Sequence, residues 1–370
     1  MTTAEQYMQQ ALALARRVYT ATPNPRVGCV IVRDGRVVGE GWHERAGEPH
    51  AEVNALQRAG DLARGATAYV TLEPCCIHGR TPPCTGALIK AGVAEVVYGM
   101  QDPNPAVAGH GLEALKAAGI KVRGPMLESQ ARELNQGFIK RMTQQLPWVR
   151  CKMAMSLDGR TAMASGESKW ITGPLARQDV QRLRAGSCAM LTGVNTVIGD
   201  DPSLNVRAEE LPGNGTALRQ PLRVIVDSAL RTPPGSRIIA VPGQVLVLTS
   251  RAHDRQLARF AESSAQIRQV AADNSGRVNL RAVMRLLAGE FACNEVMLEA
   301  GPTLSGAMVQ ERLVDEVVVY VGARFLGSDA MPLLNLPGLG SMKDQVALEM
   351  TDVCRVGEDC RITARVKTQD

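Results

Sequence analysis

The sequence predicts an α/β chain built as two domains, and three observations lead to that reading. At 370 residues the chain is long for one hydrophobic core and comfortable for two. Short β-rich runs alternate with amphipathic helical stretches along its length, the pattern of layered sheets covered by helices. A polar stretch before Pro147 interrupts the alternation, which then restarts with a new strand, so domains are expected over 1–145 and 147–370.

Met8, Leu12, Ala15 and Val18 fall at near-helical spacing and predict a helix over Ala4 to Val18, ended by Thr22-Pro23-Asn24-Pro25. Val27 to Val32 and Arg36 to Gly41 flank Asp34-Gly35, a dipeptide suited to a tight hairpin turn. Pro49 marks a helix start at His50, with Ala51 to Arg58 as its body. Thr67 to Leu72 reads as a buried strand, Pro82-Pro83 opens a helix at Cys84 that runs through Leu88 and Ile89, and Glu95 to Met100 is the next strand. A helix over Gly111 to Ala118, a strand near Lys121 and a helix over Glu128 to Met142 complete the first half.

The second half opens with a strand, Trp148 to Met155, and an amphipathic helix, Arg177 to Arg184. The runs Arg223 to Asp227, Val245 to Leu248 and Glu295 to Glu299, bounded by turn residues, imply a mostly parallel sheet covered on both faces. Gly301 to Ala307 opens the following helix, and Gly-rich backbone at a helix N-terminus is a cradle for phosphate. The Gly-x-Gly-x-x-Gly spacing is absent, so it is not a Rossmann fingerprint.

Hydrophobic content of 45% and charged content of 21% are those of a folded globular protein and exclude extended disorder. A net charge of +5 permits an anionic substrate, while aromatic content of 3% leaves few platforms for stacking bases and argues against nucleic acid. Nine cysteines in no framework spacing fit a reducing cytoplasm, with Cys29, Cys151, Cys188, Cys293, Cys354 and Cys360 as core or incidental thiols. Met1 to Gln10 lacks the pattern of a signal peptide and no apolar run approaches membrane-spanning length, so a cytoplasmic protein without a membrane partner is expected.

The chemistry is concentrated in His50-Ala51-Glu52, Glu73-Pro74-Cys75 and Cys84. One imidazole and two thiolates hold Zn²⁺ at three corners of a tetrahedron, leaving the fourth for a water whose pKa the metal lowers to about 7. Glu52, with no ligand duty, takes a proton from that water and returns it to a ring nitrogen and a departing amine, the chemistry of a zinc deaminase. Eight residues separate Cys75 from Cys84, where the usual signature has two. Cys76 or His78 as a fourth ligand would instead make a closed structural site and leave Glu52 without a role.

Longer matches carry the reading further. Thr22-Pro23-Asn24-Pro25-Arg26-Val27-Gly28, Gly79-Arg80-Thr81-Pro82-Pro83-Cys84 and Asp102-Pro103-Asn104-Pro105 stand in the first half. Ser156-Leu157-Asp158-Gly159-Arg160, Ser168-Lys169-Trp170-Ile171-Thr172, Asp200-Asp201-Pro202 and Glu299-Ala300-Gly301-Pro302 stand in the second. With them, nearly the whole chain resembles the bifunctional riboflavin-biosynthesis deaminase/reductase family. The resemblance implies a cytidine-deaminase-like layered domain followed by a dihydrofolate-reductase-like domain, with zinc and NADPH as cofactors. It implies deamination of a diaminopyrimidinone carrying a phosphoribosylamino group, then reduction of the ribosyl group to ribityl.

Residue by residue, it implies that His50, Cys75 and Cys84 bind zinc, Glu52 shuttles protons and Asn24 orients the pyrimidine. Ala154, Trp170, Thr196, Asp200, Ser228 and the turn Gly301, Pro302, Thr303, Leu304, Ser305, Gly306 and Ala307 fall where the family holds NADP. Ser168, Arg184, Leu204, Arg207 and Glu299 fall where it holds substrate, and the two arginines suit a phosphate because guanidinium forks match its oxygens. Lys152 and Glu299 are the candidates for polarising the imine that accepts hydride. The expected partners are the phosphorylated pyrimidine and further copies of the chain, as dimer or tetramer. One departure stands out: the family reads Pro-Cys-Ser-His where this chain has Pro74-Cys75-Cys76-Ile77-His78, so Ile77 occupies the His position and His78 is its nearest substitute.

Overall fold

The computed structural model describes residues 2–211 and 218–367, so the last three residues of the expected second domain lie outside the described residues. Met1–Leu146 and Pro147–Asp370 separate into two compact units.

The first unit runs α1 (Thr3–Ala15), β1 (Gly28–Arg33), β2 (Arg36–Trp42), α2 (Ala51–Ala59), β3 (Thr67–Val70), α3 (Cys84–Ala91), β4 (Glu95–Tyr98), α4 (His110–Ala117), β5 (Lys121–Arg123), α5 (Glu128–Leu134) and α6 (Gln136–Gln144). Its sheet has the order β2-β1-β3-β4-β5, antiparallel from β2 to β3 and parallel from β3 to β5. Asp34 and Gly35 both have positive φ (50° and 73°), the backbone a two-residue hairpin requires. Met8, Leu12, Ile31, Val70, Leu88 and Val96 are fully buried in one core, each stabilising the fold by about 1.5–3 kcal/mol. Gly28 and Gly41 point to opposite faces of the hairpin, where α1 and α2 come close: an added Cβ would lie 2.0 Å from the Ala11 carbonyl oxygen and 2.1 Å from that of Ala51, respectively.

Two helices depart from what their apolar spacing predicts. The first stops at Ala15, because the chain tightens there: the Arg17 N–H donates to the Leu14 carbonyl at 3.1 Å. The helix expected over Glu128 to Met142 is two, broken at Asn135. The side chain of Asn135 accepts from the Arg26 N–H (2.8 Å) and donates to the Arg26 carbonyl (2.9 Å), pairing like a strand neighbour and pulling its own backbone out of the helix.

The second unit runs β6 (Trp148–Ser156), β7 (Arg160–Ala162), α7 (Pro174–Ala185), β8 (Ala189–Gly193), α8 (Val194–Asp200), β9 (Leu222–Val226), α9 (Arg237–Ala240), β10 (Val245–Thr249), α10 (Asp254–Ala258), β11 (Gln266–Gln269), α11 (Leu280–Gly289), β12 (Glu295–Leu298), α12 (Pro302–Gln310), β13 (Glu316–Gly322), β14 (Met331–Pro332), β15 (Leu348–Val356) and β16 (Asp359–Val366). Nine strands form one sheet in the order β11-β10-β9-β8-β12-β6-β13-β16-β15. From β11 to β13 every pairing is parallel, so these strands share one carboxyl edge. The antiparallel hairpin of β15 and β16, turned at Gly357 (φ 68°), extends the sheet beyond the expected parallel set. Among the described residues, no helix is long and apolar enough to cross a membrane.

Candidate active sites

His50 caps α2 with extended backbone (φ −74°, ψ 166°), and Glu52 follows in the first turn, only 4% exposed. Their position depends on Gly41, against which the start of α2 lies too close for any side chain. Cys84 opens α3, and its N–H donates to Cys75 Sγ at 3.4 Å. His50 Nδ1 lies 3.2 Å from Cys84 Sγ and 3.5 Å from Cys75 Sγ, and the three donor atoms fall within 4.8 Å of one another. Zinc bonds to nitrogen and sulfur at a tetrahedral angle give an N–S edge of about 3.6 Å, so the donor set fits the metal in both chemistry and span. Among the described residues this group holds no fourth His, Cys, Asp or Glu: Cys76 is half-buried outside it, and Ile77 and His78 are exposed.

A hydrogen bond from the Cys84 thiol pulls Cys75 down to about 4, and the same bond, with burial, pushes Cys84 up. Burial, with Cys75 adding to it, pushes the Glu52 carboxyl up to about 7. Thr81 Oγ1 stands 3.2 Å from His50 Nε2, where it can accept that ring N–H and fix the imidazole with Nδ1 toward the thiolates. Cys84→Ser is expected to lose most bound zinc, since a hard hydroxyl replaces a soft thiolate, while Cys76→Ser keeps it. Metal analysis of the two purified variants showing the reverse would move the site to Cys76.

Two residues near this site were given no role by the sequence. Glu73 is buried, and its carboxylate accepts N–H bonds from Asp102 (3.1 Å), Gly109 (3.0 Å), Gly111 (3.0 Å) and Leu112 (3.3 Å). Those donors include the first turn of α4, so one carboxylate caps that helix and fixes the segment leading into Cys75. Glu73→Ala strands three buried donors and one partly exposed one, at about 1–3 kcal/mol for each buried donor left unsatisfied. The expected result is a lower melting temperature and weaker zinc retention, read by calorimetry and metal titration; unchanged values for both would remove the anchoring role. His43, 2% exposed, donates from Nδ1 to the Pro49 carbonyl (3.2 Å), accepts the Asn24 amide at Nε2 (2.9 Å), and stands edge-on to the His50 ring with centroids 5.0 Å apart. Burial lowers its pKa, in keeping with the neutral ring that accepts from Asn24. Asn24 is thereby tied to His43, whose ring packs against the zinc-ligand candidate His50.

In the second unit a cavity of about 1300 Å³ lies along the carboxyl edge of β6, β12, β8, β9 and β10. Of the residues expected to hold NADP, Ala154, Trp170, Thr196, Asp200 and Ser228 line it, and so do Gly301, Pro302, Thr303, Leu304 and Ala307. Ser305 and Gly306 do not. The Ser305 hydroxyl is buried and donates to the Ala300 carbonyl, and Gly306 packs where an added Cβ would lie 2.0 Å from the Asn335 carbonyl oxygen. Thr196 Oγ1 accepts the Gly301 N–H at 3.1 Å, joining the ends of β8 and β12. Ser168, Arg184, Leu204, Arg207 and Glu299, the expected substrate residues, also line the cavity. Leu204 has φ 47°, a strained backbone that costs a branched residue about 1–2 kcal/mol. Ser168 donates to Asp200 at 3.4 Å, so a substrate candidate and a cofactor candidate meet.

A largely buried charge cluster lines the cavity. Arg184 Nε and Nη2 donate to the two oxygens of Glu299 at 2.7 and 3.1 Å, and Lys152 Nζ lies 3.8 Å from Glu299 Oε2. Burial alone would raise the Glu299 carboxyl, but Arg184 and Lys152 outweigh it and hold Glu299 at about 2. Burial lowers Lys152, with Glu299 opposing. Lys152 also stands over the Tyr320 ring at 5.9 Å, and the Tyr320 hydroxyl donates to Asp179 at 2.7 Å, which accepts Arg361 at the same distance. The phosphate role expected of Arg184 needs correction: its fork is spent on Glu299, and Nη1 donates to the Asn205 carbonyl at 3.2 Å. Arg207 is more open, paired with Glu210 three residues on, at 2.6 Å.

These two sites can be set beside known proteins. The cytidine and deoxycytidylate deaminase zinc-binding region matches residues 1–100, and the RibD C-terminal domain matches residues 147–362. The chain is 51% identical to the riboflavin biosynthesis protein RibD of Escherichia coli strain K12, over 96% of this chain and 97% of that protein. It belongs to the RibD family. The Haemophilus influenzae RibD is 49% identical, with 96% of each chain covered. Among solved structures, Acinetobacter baumannii RibD matches with a TM-score of 0.90 at 46% identity, covering 99% of both chains. A diaminohydroxyphosphoribosylaminopyrimidine deaminase/5-amino-6-(5-phosphoribosylamino)uracil reductase from Thermotoga maritima matches with a TM-score of 0.85 at 31% identity, again over 99% of both. As a RibD, the chain joins a zinc-binding deaminase fold to a RibD reductase fold, the fold class that the sequence predicted in both halves.

Proposed function

We propose that this RibD catalyses two consecutive steps of riboflavin biosynthesis. The first is hydrolytic deamination of 2,5-diamino-6-(5-phosphoribosylamino)pyrimidin-4-one, and the second is NADPH-dependent reduction of its ribosyl group to ribityl. The observation that carries this reading is the pairing of a three-donor zinc set beside an unliganded Glu52 with a dinucleotide-sized cavity over a buried Lys152–Glu299–Arg184 cluster. We assign residues 1–145 to the deaminase and 147–370 to the reductase.

In the deaminase, His50, Cys75 and Cys84 would hold zinc, which when bound would supply activation of the attacking water. Glu52 accepts a proton from that water as its oxygen joins the ring carbon and passes it to the ring nitrogen. It then carries the proton of the new hydroxyl to the amine, so that the C–N bond breaks, the carbonyl forms and ammonia leaves. Asn24, fixed by His43, presents its amide to the pyrimidine. In the reductase, hydride is what NADPH supplies when bound. Pro302 at the first position of α12 has no N–H, so Thr303 and Leu304 offer the free donors for a pyrophosphate. Lys152, oriented by Glu299 and Tyr320, polarises the imine nitrogen, and Arg207 meets the substrate phosphate. Arg207→Ala is expected to weaken the phosphorylated uracil by roughly 10- to 100-fold, measured as its dissociation constant; a loss of NADPH affinity instead would transfer Arg207 to the cofactor.

We further place the protein in the cytoplasm as a dimer or tetramer. The edge strand β15 leaves Leu348, Met350 and Val353 exposed, apolar surface of the kind that subunit contacts cover. A nucleic-acid base deaminase is the rival reading, because the zinc constellation is shared. Ammonia release from the free phosphoribosyl pyrimidine, compared with tRNA and single-stranded DNA, separates the two: release from nucleic acid alone would overturn the proposal.

A further inference from the structure

The cavity of the second unit is lined by several arginines, and their partners divide them sharply. Arg184 and Arg207 are paired with Glu299 and Glu210. Arg277 is matched by Asp273 at 3.6 Å and Arg237 by Asp201 at 4.0 Å. Arg177, which forms no ion pair among the described residues, is held over the Trp170 ring at 4.4 Å and donates to the Thr172 carbonyl at 2.7 Å. Arg231 and Arg251 differ. Arg231 donates to the neutral Asn195 side chain at 2.6 Å, and neither Arg231 nor Arg251 forms an ion pair among the described residues. Both are exposed to the cavity mouth. Two uncompensated guanidiniums on one wall call for an anion.

Their place along the sheet says which anion. The carboxyl edge runs in the order β6, β12, β8, β9, β10. Lys152 and Glu299 mark the reducing centre at β6 and β12, and the α12 N-terminus follows between β12 and β8, tied by Thr196. Ser228 and Arg231 follow β9, and Arg251 follows β10. With strands about 4.8 Å apart, Arg251 is three strands and about 14 Å beyond β12. A dinucleotide with its nicotinamide at the reducing centre and its pyrophosphate at α12 would therefore lay its adenosine across β9 and β10. The backbone there is fixed in advance: the Arg251 N–H donates to the Ser228 carbonyl (3.2 Å), Ser250 Oγ donates to the same carbonyl (3.1 Å), and Thr249 Oγ1 donates to the Arg251 carbonyl (2.7 Å). Ser228 Oγ accepts the Val278 N–H at 3.0 Å, leaving its own O–H to donate.

We propose that Arg251 and Arg231, with the Ser228 hydroxyl, bind the adenosine 2′-phosphate and thereby select NADPH over NADH. The inference rests on the reading that this cavity holds the dinucleotide. Guanidinium forks meet phosphate oxygens two at a time, and the 2′-phosphate is the one group by which the two cofactors differ.

The test uses the full chain and titrates NADPH and NADH by nicotinamide fluorescence, with the phosphorylated uracil intermediate titrated separately. Arg251→Ala and Arg231→Ala are each expected to raise the NADPH dissociation constant roughly tenfold, from loss of a charge-assisted bond. The NADH constant should stay where it is in the unaltered protein, and the NADPH penalty should shrink at high salt. Equal weakening of both cofactors would place the arginines on the shared part of the dinucleotide and overturn the proposal. So would weakening of the phosphorylated uracil alone, or no change in variants shown to be folded by circular dichroism. If the unaltered protein binds neither dinucleotide, it is the cofactor reading of the cavity that fails.

Discussion

Glu52→Gln retains its zinc and loses deamination by about 10²–10⁴-fold, the usual size of a lost general acid/base. The substitution keeps the shape of the side chain in the first turn of α2, and Glu52 stands outside the His50–Cys75–Cys84 donor group, so the metal site is left intact. What disappears is the buried carboxylate of that turn, which carries one proton of the water to the ring and the other to the amine. Reduction of supplied uracil intermediate survives, because that chemistry lies in the other unit. Ammonia release by the zinc-replete variant at a near-normal rate would contradict the assignment.

Glu299→Gln should abolish reduction and destabilise the second unit by about 3–5 kcal/mol, because it leaves Arg184 and Lys152 buried without their shared counter-charge. The effect is pH-dependent, with a definite sign. Glu299 has a carboxyl depressed to about 2, against about 4.3 in an unfolded chain, so its contribution of about 3 kcal/mol is fully present above about pH 4.5 and is lost as pH falls toward 2. Urea denaturation of the unaltered chain and of the Glu299→Gln variant, each at about pH 7, above that window, and at about pH 3, within it, reads this directly. The gap between them should narrow in acid; an equal gap at both values would mean that no ionised pair is held there.

Much of the zinc site was legible because its signals are local. Pro49 ahead of His50 and Pro82-Pro83 ahead of Cys84 announce helix starts, and both helices begin where those residues stand. The parallel strands were equally plain, since β9, β10 and β12 are short apolar runs between turn residues. What escaped depends on pairing across distance. Nothing near Glu73 announces that the start of α4, more than thirty residues on, will close around it. Arg184 looked like a phosphate ligand because its partner, Glu299, lies 115 residues away. Asn135 sits in an unbroken helical pattern until it meets Arg26 across the fold. The β15–β16 hairpin was hidden by the exposure of β15, whose charged and apolar residues do not alternate as in a strand with one buried face.

The most direct test of two sites acting in series within one chain is a single-vessel measurement of ammonia and NADPH with the diaminopyrimidinone as the only substrate. The unaltered protein should release one ammonia for each NADPH consumed, with ammonia leading, and should stop after deamination when NADPH is withheld. The Glu52→Gln variant should then consume NADPH only when the uracil intermediate is added. Rapid NADPH consumption by that variant from the diaminopyrimidinone itself, without ammonia, would contradict it.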